Sequence, residues 1–269
     1  MKQIKTRHKL IPAIIMLLVA AITMSTASYA WFTMSTKVEV TGIELKVVAP
    51  ANILIREGTA GVFGTIATVT TNPTTGKLNH ASSADGVSFF TIDQTTAAKV
   101  LGDGGIPADP TIIAANQAAT DTETGYYYDY TFQLINTGGD AVNVGVRNVA
   151  IAGKTESTAD QGIAGAVRFA ILNKAKTANI HASKPLFAKG SDSANALTSN
   201  STPPYHDGAV AANKEFTSTL FQLAAAGTTA PTNETELTVR VWIEGQDGDC
   251  KTANSNSSFT IEFEFYMIP

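Results

Sequence analysis

The pattern of apolar and polar positions divides the chain into period-two segments separated by long polar stretches. Lys37-Val38-Glu39-Val40-Thr41-Gly42-Ile43-Glu44-Leu45-Lys46-Val47-Val48 sets charged or polar side chains between apolar ones, the signature of a half-buried strand. Val38 and Val40 are out of phase with Ile43, Leu45 and Val47, and Gly42 stands where a bulge would shift the alternation. Pro50 ends this strand, and Asn52-Ile53-Leu54-Ile55-Arg56 predicts a second after the Ala49-Pro50-Ala51 corner.

The alternation resumes at Tyr126 to Ile135 and stops at Asn136-Thr137-Gly138-Gly139, a turn cluster that tolerates positive φ. Val142 to Val146 then reads as its hairpin partner, and Ala166 to Leu172 as a further strand. Glu236 to Glu244 and Phe259 to Tyr266 read as an antiparallel pair closing the fold, joined by the turn-rich stretch from Gly245 to Asn256. Between these strands lie two stretches rich in Thr, Ser, Ala, Asn and Gly, about 57–125 and 174–235. Both read as long polar insertions, and the length of the first predicts short strands or a helix inside it. Asn213 to Leu223 fits neither period and stays open between strand and helix. Strands joined by polar loops rather than helical crossovers predict an all-β fold, an antiparallel β-sandwich or jelly roll, in one domain from 31 to 269.

The first thirty residues follow a different pattern. Lys2, Lys5, Arg7, His8 and Lys9 precede an apolar stretch from Leu10 to Ile22, and small residues lead to Ser28-Tyr29-Ala30. This is the order of a secretory signal peptide, with a signal peptidase expected to cut between Ala30 and Trp31. The apolar run is shorter than the roughly 20 residues that span a bilayer. The expected location is therefore extracellular, at the cell surface or released from it.

Composition narrows the function. Apolar residues make up 44% and charged residues 16% of the 269, which suffices for a core and argues against a disordered charged chain. The formal charge is −4, and since the leader carries four cations and no acid, the remainder carries −8. Nucleic acid is not an expected partner. Cys250 is the single cysteine, so no intrachain disulfide forms, and a buried thiol is its plainest role.

Candidate chemistry is sparse. His8 lies in the leader and His80, His181 and His206 in the insertions, without metal-ligand spacing. No nucleophile elbow, paired cysteine motif or phosphate loop is present, so the chain is not expected to be an enzyme or to need a cofactor. One weak candidate is calcium, for which Glu244, Asp247 and Asp249 gather oxygen donors in one turn. Asp-Gly steps are also ordinary turn chemistry. Tyr126, Tyr127, Tyr128 and Tyr130 suggest an aromatic platform for cell-surface glycans, although the face running into Phe132 and Leu134 is the expected core face.

Three segments carry a family resemblance. Ala27-Ser28-Tyr29-Ala30-Trp31-Phe32-Thr33 resembles the leader boundary of Gram-positive proteins cut by a SipW-type signal peptidase, with Trp31 intervening in the usual pattern. Tyr130-Thr131-Phe132-Gln133-Leu134-Ile135-Asn136-Thr137-Gly138 and Val241-Trp242-Ile243-Glu244-Gly245 resemble strands of TasA and camelysin-like matrix proteins. The resemblance implies a jelly-roll subunit of an extracellular fibre or biofilm matrix whose partner is another copy of itself. An extended N-terminal segment of one subunit would complete the sheet of the next. The donor here would be Trp31 to Val48, with Val38, Val40, Ile43, Leu45 and Val47 forming its apolar face. Read from its residues alone, the segment is equally the first strand of its own sandwich. The long insertions depart from a minimal matrix subunit, and no histidine cluster supports the protease activity attributed to some relatives. The competing reading is a monomeric surface adhesin or carbohydrate-binding module.

Overall fold

A computed structural model describes residue 16, residues 40–50, 52–59, 61–71, 78–92, 112–120, 122–155, 157–180, 186–189, 219–227, 234–245, 247 and 249–268. Apart from Met16, the leader with Ala30 lies outside the described residues, as do Trp31, Val38, His181 and His206. The first sheet contains β1 (Val40–Val48), β3 (Ile66–Thr71), β7 (Val142–Gly153), β10 (Phe221–Leu223) and β12 (Ser257–Ile268), in the order β10-β7-β12-β1-β3. The second contains β2 (Ile53–Glu57), β6 (Tyr128–Asn136), β8 (Val167–Asn173), β9 (Phe187–Ala188) and β11 (Glu234–Ile243), in the order β2-β6-β11-β8-β9. A small pair, β4 (Phe90–Ile92) and β5 (Ile112–Ala114), the helix α1 (Thr158–Ala166) and a short 3-10 turn (Thr252–Asn254) complete the elements named among the described residues. The all-β layering expected from the sequence is present, although β1 and β12 run parallel while the other named pairs are antiparallel.

Two strand pairings differ from the sequence expectation. β6 and β7 do not form a hairpin, and β11 and β12 are not neighbours: each pair is split between the two sheets. An alternating strand needs its apolar face buried, and crossing to the opposite sheet satisfies that need as well as turning back beside the same neighbour does. At the β6–β7 corner, Asn136 holds the crossing. Its side-chain amide donates to Asp140 O (2.8 Å) and Ala224 O (2.9 Å), and its Oδ1 accepts from Gly138 N (2.8 Å).

Between the sheets, Tyr128, Tyr130, Phe132 and Leu134 of β6 meet Phe259, Ile261, Phe263 and Phe265 of β12 in one continuous core. The Phe169 ring stacks on Phe187 (centroids 4.9 Å apart) and on Phe263 (5.1 Å), which ties β8 to β12 across the layers. The first sheet keeps a solvent face, as the in-out burial along β12 shows.

In the second sheet β8 and β11 are buried on both faces. Trp242 of β11 and Ala170 and Leu172 of β8 point away from the sandwich core, yet all three are inaccessible to solvent. They are covered by the first insertion, which brings Ala81, Phe89 and Ala115 over them to form, with Tyr127, a second apolar cluster. Backbone bonds fix this layer: Ala81 N donates to Ile243 O (3.0 Å), and Gly245 N donates to Ala81 O (3.1 Å). Gly86 approaches so closely, at φ 74°, that a Cβ there would lie 2.5 Å from that of Ala170. The part of the first insertion from Leu78 onward is therefore a third layer, while β3 from the same insertion joins the first sheet; β3, β4 and β5 are short strands of the kind expected within the insertion.

Helix α1 begins at Ser157, whose hydroxyl accepts from Asp160 N (3.0 Å) as an N-cap. Asp160 in turn joins three elements. Its carboxylate accepts from Ser258 N (2.9 Å) at the start of β12 and from Thr155 N (3.2 Å) just past β7, and from both hydroxyls. Burial alone would raise its pKa, but these hydrogen bonds outweigh it and hold the carboxyl below its usual range.

Candidate functional site

The described part of the proposed donor segment, Val40–Val48, forms β1 within its own chain. Val40, Ile43, Leu45 and Val47 are buried, and the register against β12 shifts between Val40 and Gly42, where the sequence expects a bulge. Thr41 at that bulge donates to Ser257 O (3.2 Å). Parallel pairing to β12 runs from Val40 to Val48, while β3 pairs antiparallel on the other side from Ile43 to Val48. Glu44 and Lys46 face solvent, near Lys154 (3.9 Å) and Glu262 (3.4 Å) respectively. At a typical 1.5–3 kcal/mol per fully buried aliphatic side chain, the four apolar residues contribute on the order of 6–12 kcal/mol of burial. Such a strand is indispensable wherever it comes from.

The three carboxylates proposed for calcium do not converge. Glu244 Oε2 accepts from Trp242 Nε1 (3.2 Å) and Ser83 N (3.4 Å). Asp247 Oδ2 pairs with Arg168 Nη2 at 2.5 Å, and its Oδ1 accepts from Asp249 N (2.8 Å). Asp249 itself is near Lys251, 3.8 Å away. Among the described residues no group of three potential metal ligands comes together. In the described residues the oxygens of Glu244 and Asp247 are instead taken by Trp242, Ser83, Arg168 and the backbone of Asp249. Burial pushes the Asp247 carboxyl upward against the opposing pull of Arg168.

The tyrosines do not form an open platform either. Tyr128 and Tyr130 point into the sandwich core, as expected of that face. Tyr127 is buried in the third layer, its hydroxyl donating to Asn116 O (3.0 Å) and its ring lying 3.9 Å from the Arg240 guanidinium. Arg240 also forms a forked bond to Asp129, at 2.7 and 3.0 Å.

Cys250 is fully buried, and burial, followed by the nearby Glu244 and Asp247, pushes its thiol far above its ordinary range. It is a packed side chain and not a nucleophile.

His80 is 5% exposed beneath the third layer, against Gly245, and burial lowers its pKa from 6.5 to about 4. The folded protein thus keeps the ring neutral where the unfolded chain takes up a proton. Its contribution is intact above pH 6.5 and is lost progressively as pH falls toward 4, in total roughly 3 kcal/mol. Urea midpoints measured through that window are expected to fall with pH in the wild type and to flatten in His80→Gln. An equal slope in both proteins would show that His80 does not carry the effect.

Arg168 and Arg240 were not singled out by motif. The available signal was a lone guanidinium within an apolar strand, Ala166-Val167-Arg168-Phe169-Ala170 and Val239-Arg240-Val241-Trp242, which requires a buried partner on the outer face. Among the described residues no helix is long and apolar enough to cross a membrane. No protein-family model and no curated protein matches this chain.

Proposed function

We propose that this protein is a secreted structural subunit of an extracellular fibre or biofilm matrix that assembles by strand donation from its mature N-terminus. In this reading the sandwich is a jelly-roll variant with its first strand parallel to its last. The observation that carries the proposal is the place of β1, which follows directly on the N-terminal segment and fills a slot between β12 and β3. Exchanging β1 between copies would preserve every ladder bond and all the apolar burial while linking subunits head to tail. A head-to-tail contact that does not close gives an open filament. The corner from Ala49 to Asn52, stiffened by Pro50, is the hinge such an exchange would use.

The test compares residues 31–269 with residues 52–269 by electron microscopy and size-exclusion chromatography. Filaments are expected from the longer form alone, and the shorter form should bind a synthetic Lys37–Val48 peptide. A longer form that stays monomeric under every assembly condition would overturn the proposal and favour the adhesin.

A further inference from the structure

Sheet edges expose unpaired N–H and C=O groups, and proteins ordinarily guard them with charges, prolines, bulges or brevity. Most edges here follow that rule. β9 and β10 have two and three residues. β2 is tied across to the turn before β3 by the Ile55–Gly64 bridge. β7 continues past β10, but it is bent by a bulge beside Arg147 and Asn148, both exposed, with Asn148 at φ 54°.

β3 breaks the rule. Its six residues, Ile-Ala-Thr-Val-Thr-Thr, pair in unbroken register with β1, and among the described residues nothing pairs with the opposite edge. The strand has no charge, proline, glycine or bulge. Ile66 is 54% exposed, and Thr68 and Thr70 are also exposed. An unguarded, regular, partly apolar edge is suited to adding a strand.

We infer that the partner is β3 of a second copy, the two strands lying antiparallel across a two-fold axis so that two five-stranded sheets become one of ten. This contact rests on the assembly reading but is separate from strand donation. An axis normal to the sheet keeps like faces together, and a register with Thr68 opposite its own counterpart meets that condition. Ile66 of each copy then faces Thr70 of the other, covering the exposed isoleucine, and Ala67 faces Val69 on the core side. Electrostatics permits the approach. β3 is uncharged, and the nearest charges on the adjacent strand, Glu44 and Lys46, have opposite partners in Lys154 and Glu262. Donation would make open chains, and the two-fold edge contact would join such chains side by side.

The experiment uses the full mature chain and two variants at the exposed position 68. Sedimentation of the wild type should show a concentration-dependent dimer, and Thr68→Lys, which brings two ammonium groups together on the axis, should weaken it several-fold with unchanged circular dichroism. Thr68→Cys should form a covalent dimer on oxidation, the native thiol being buried. A dimer indifferent to Thr68→Lys, or no cross-link at position 68, would overturn the inference. So would preferential cross-linking of Thr68→Cys to Ser35→Cys, which would make the N-terminal segment the occupant. Edge dimers without filaments would sink strand donation alone, and filaments without edge dimers would sink self-pairing alone.

Discussion

Trp242→Ala is expected to destabilise the protein by about 3–5 kcal/mol and to release the first insertion before the sandwich unfolds. Trp242 is fully buried, its indole meets the Phe89 ring edge-on at 5.3 Å, and its N–H satisfies the Glu244 carboxylate. Truncation removes the centre of the second apolar cluster and takes a donor from a buried carboxylate, a further cost of about 1–3 kcal/mol. Trp242→Phe separates the two effects, since it restores apolar volume without the N–H. Denaturant unfolding gives the total, and limited proteolysis locates it. Cuts within residues 78–127 should appear in Trp242→Ala under conditions that leave the wild type whole. Continued protection of that segment would mean that the third layer does not depend on the indole.

The position of Trp242 also shows how far the sequence could be read. Period-two alternation located β1, β6, the start of β7, β11 and β12, and short apolar runs located β2 and β8, because each buries at least one face in the same core. It did not give their pairing. β6 and β11 read as the first arms of hairpins, yet both face the next strand across the core, since alternation fixes which side chains point inward and not which sheet the chain enters next.

The third layer left a trace that alternation alone obscured. Ala166 to Leu172 is nearly continuous in apolar residues, as a strand covered on both faces requires, and Trp242 occupies an outward position on β11. Helix α1 was missed because its apolar content is slight, although Ser157 followed three residues later by Asp160 is a helix-start signal. Glu244, Asp247 and Asp249 lie close together in the sequence, but the guanidinium that pairs with Asp247 comes from a strand 79 positions earlier, a partner that spacing does not reveal.

Asp247→Ala is the second large effect. Arg168 and Asp247 are 1% and 4% exposed, and the guanidinium also donates to Gly165 O (2.6 Å) and Val167 O (3.0 Å). Removing the carboxylate leaves a buried cation with only neutral acceptors, a loss of about 3–5 kcal/mol. The pair need not itself be a large source of stability, because burying both charges costs nearly as much as their attraction returns. The double change Arg168→Met with Asp247→Leu should therefore recover most of the loss, and a double-mutant cycle from urea unfolding measures the coupling. If the double variant is as unstable as Asp247→Ala, the pair does more than neutralise itself. Its remaining role would be to hold the turn after β11 against the start of β8, where Glu244 N donates to Ala166 O at 2.8 Å. Recovery would instead show that the packing of β8 against β11 fixes that corner, with the ion pair serving to make a buried arginine tolerable.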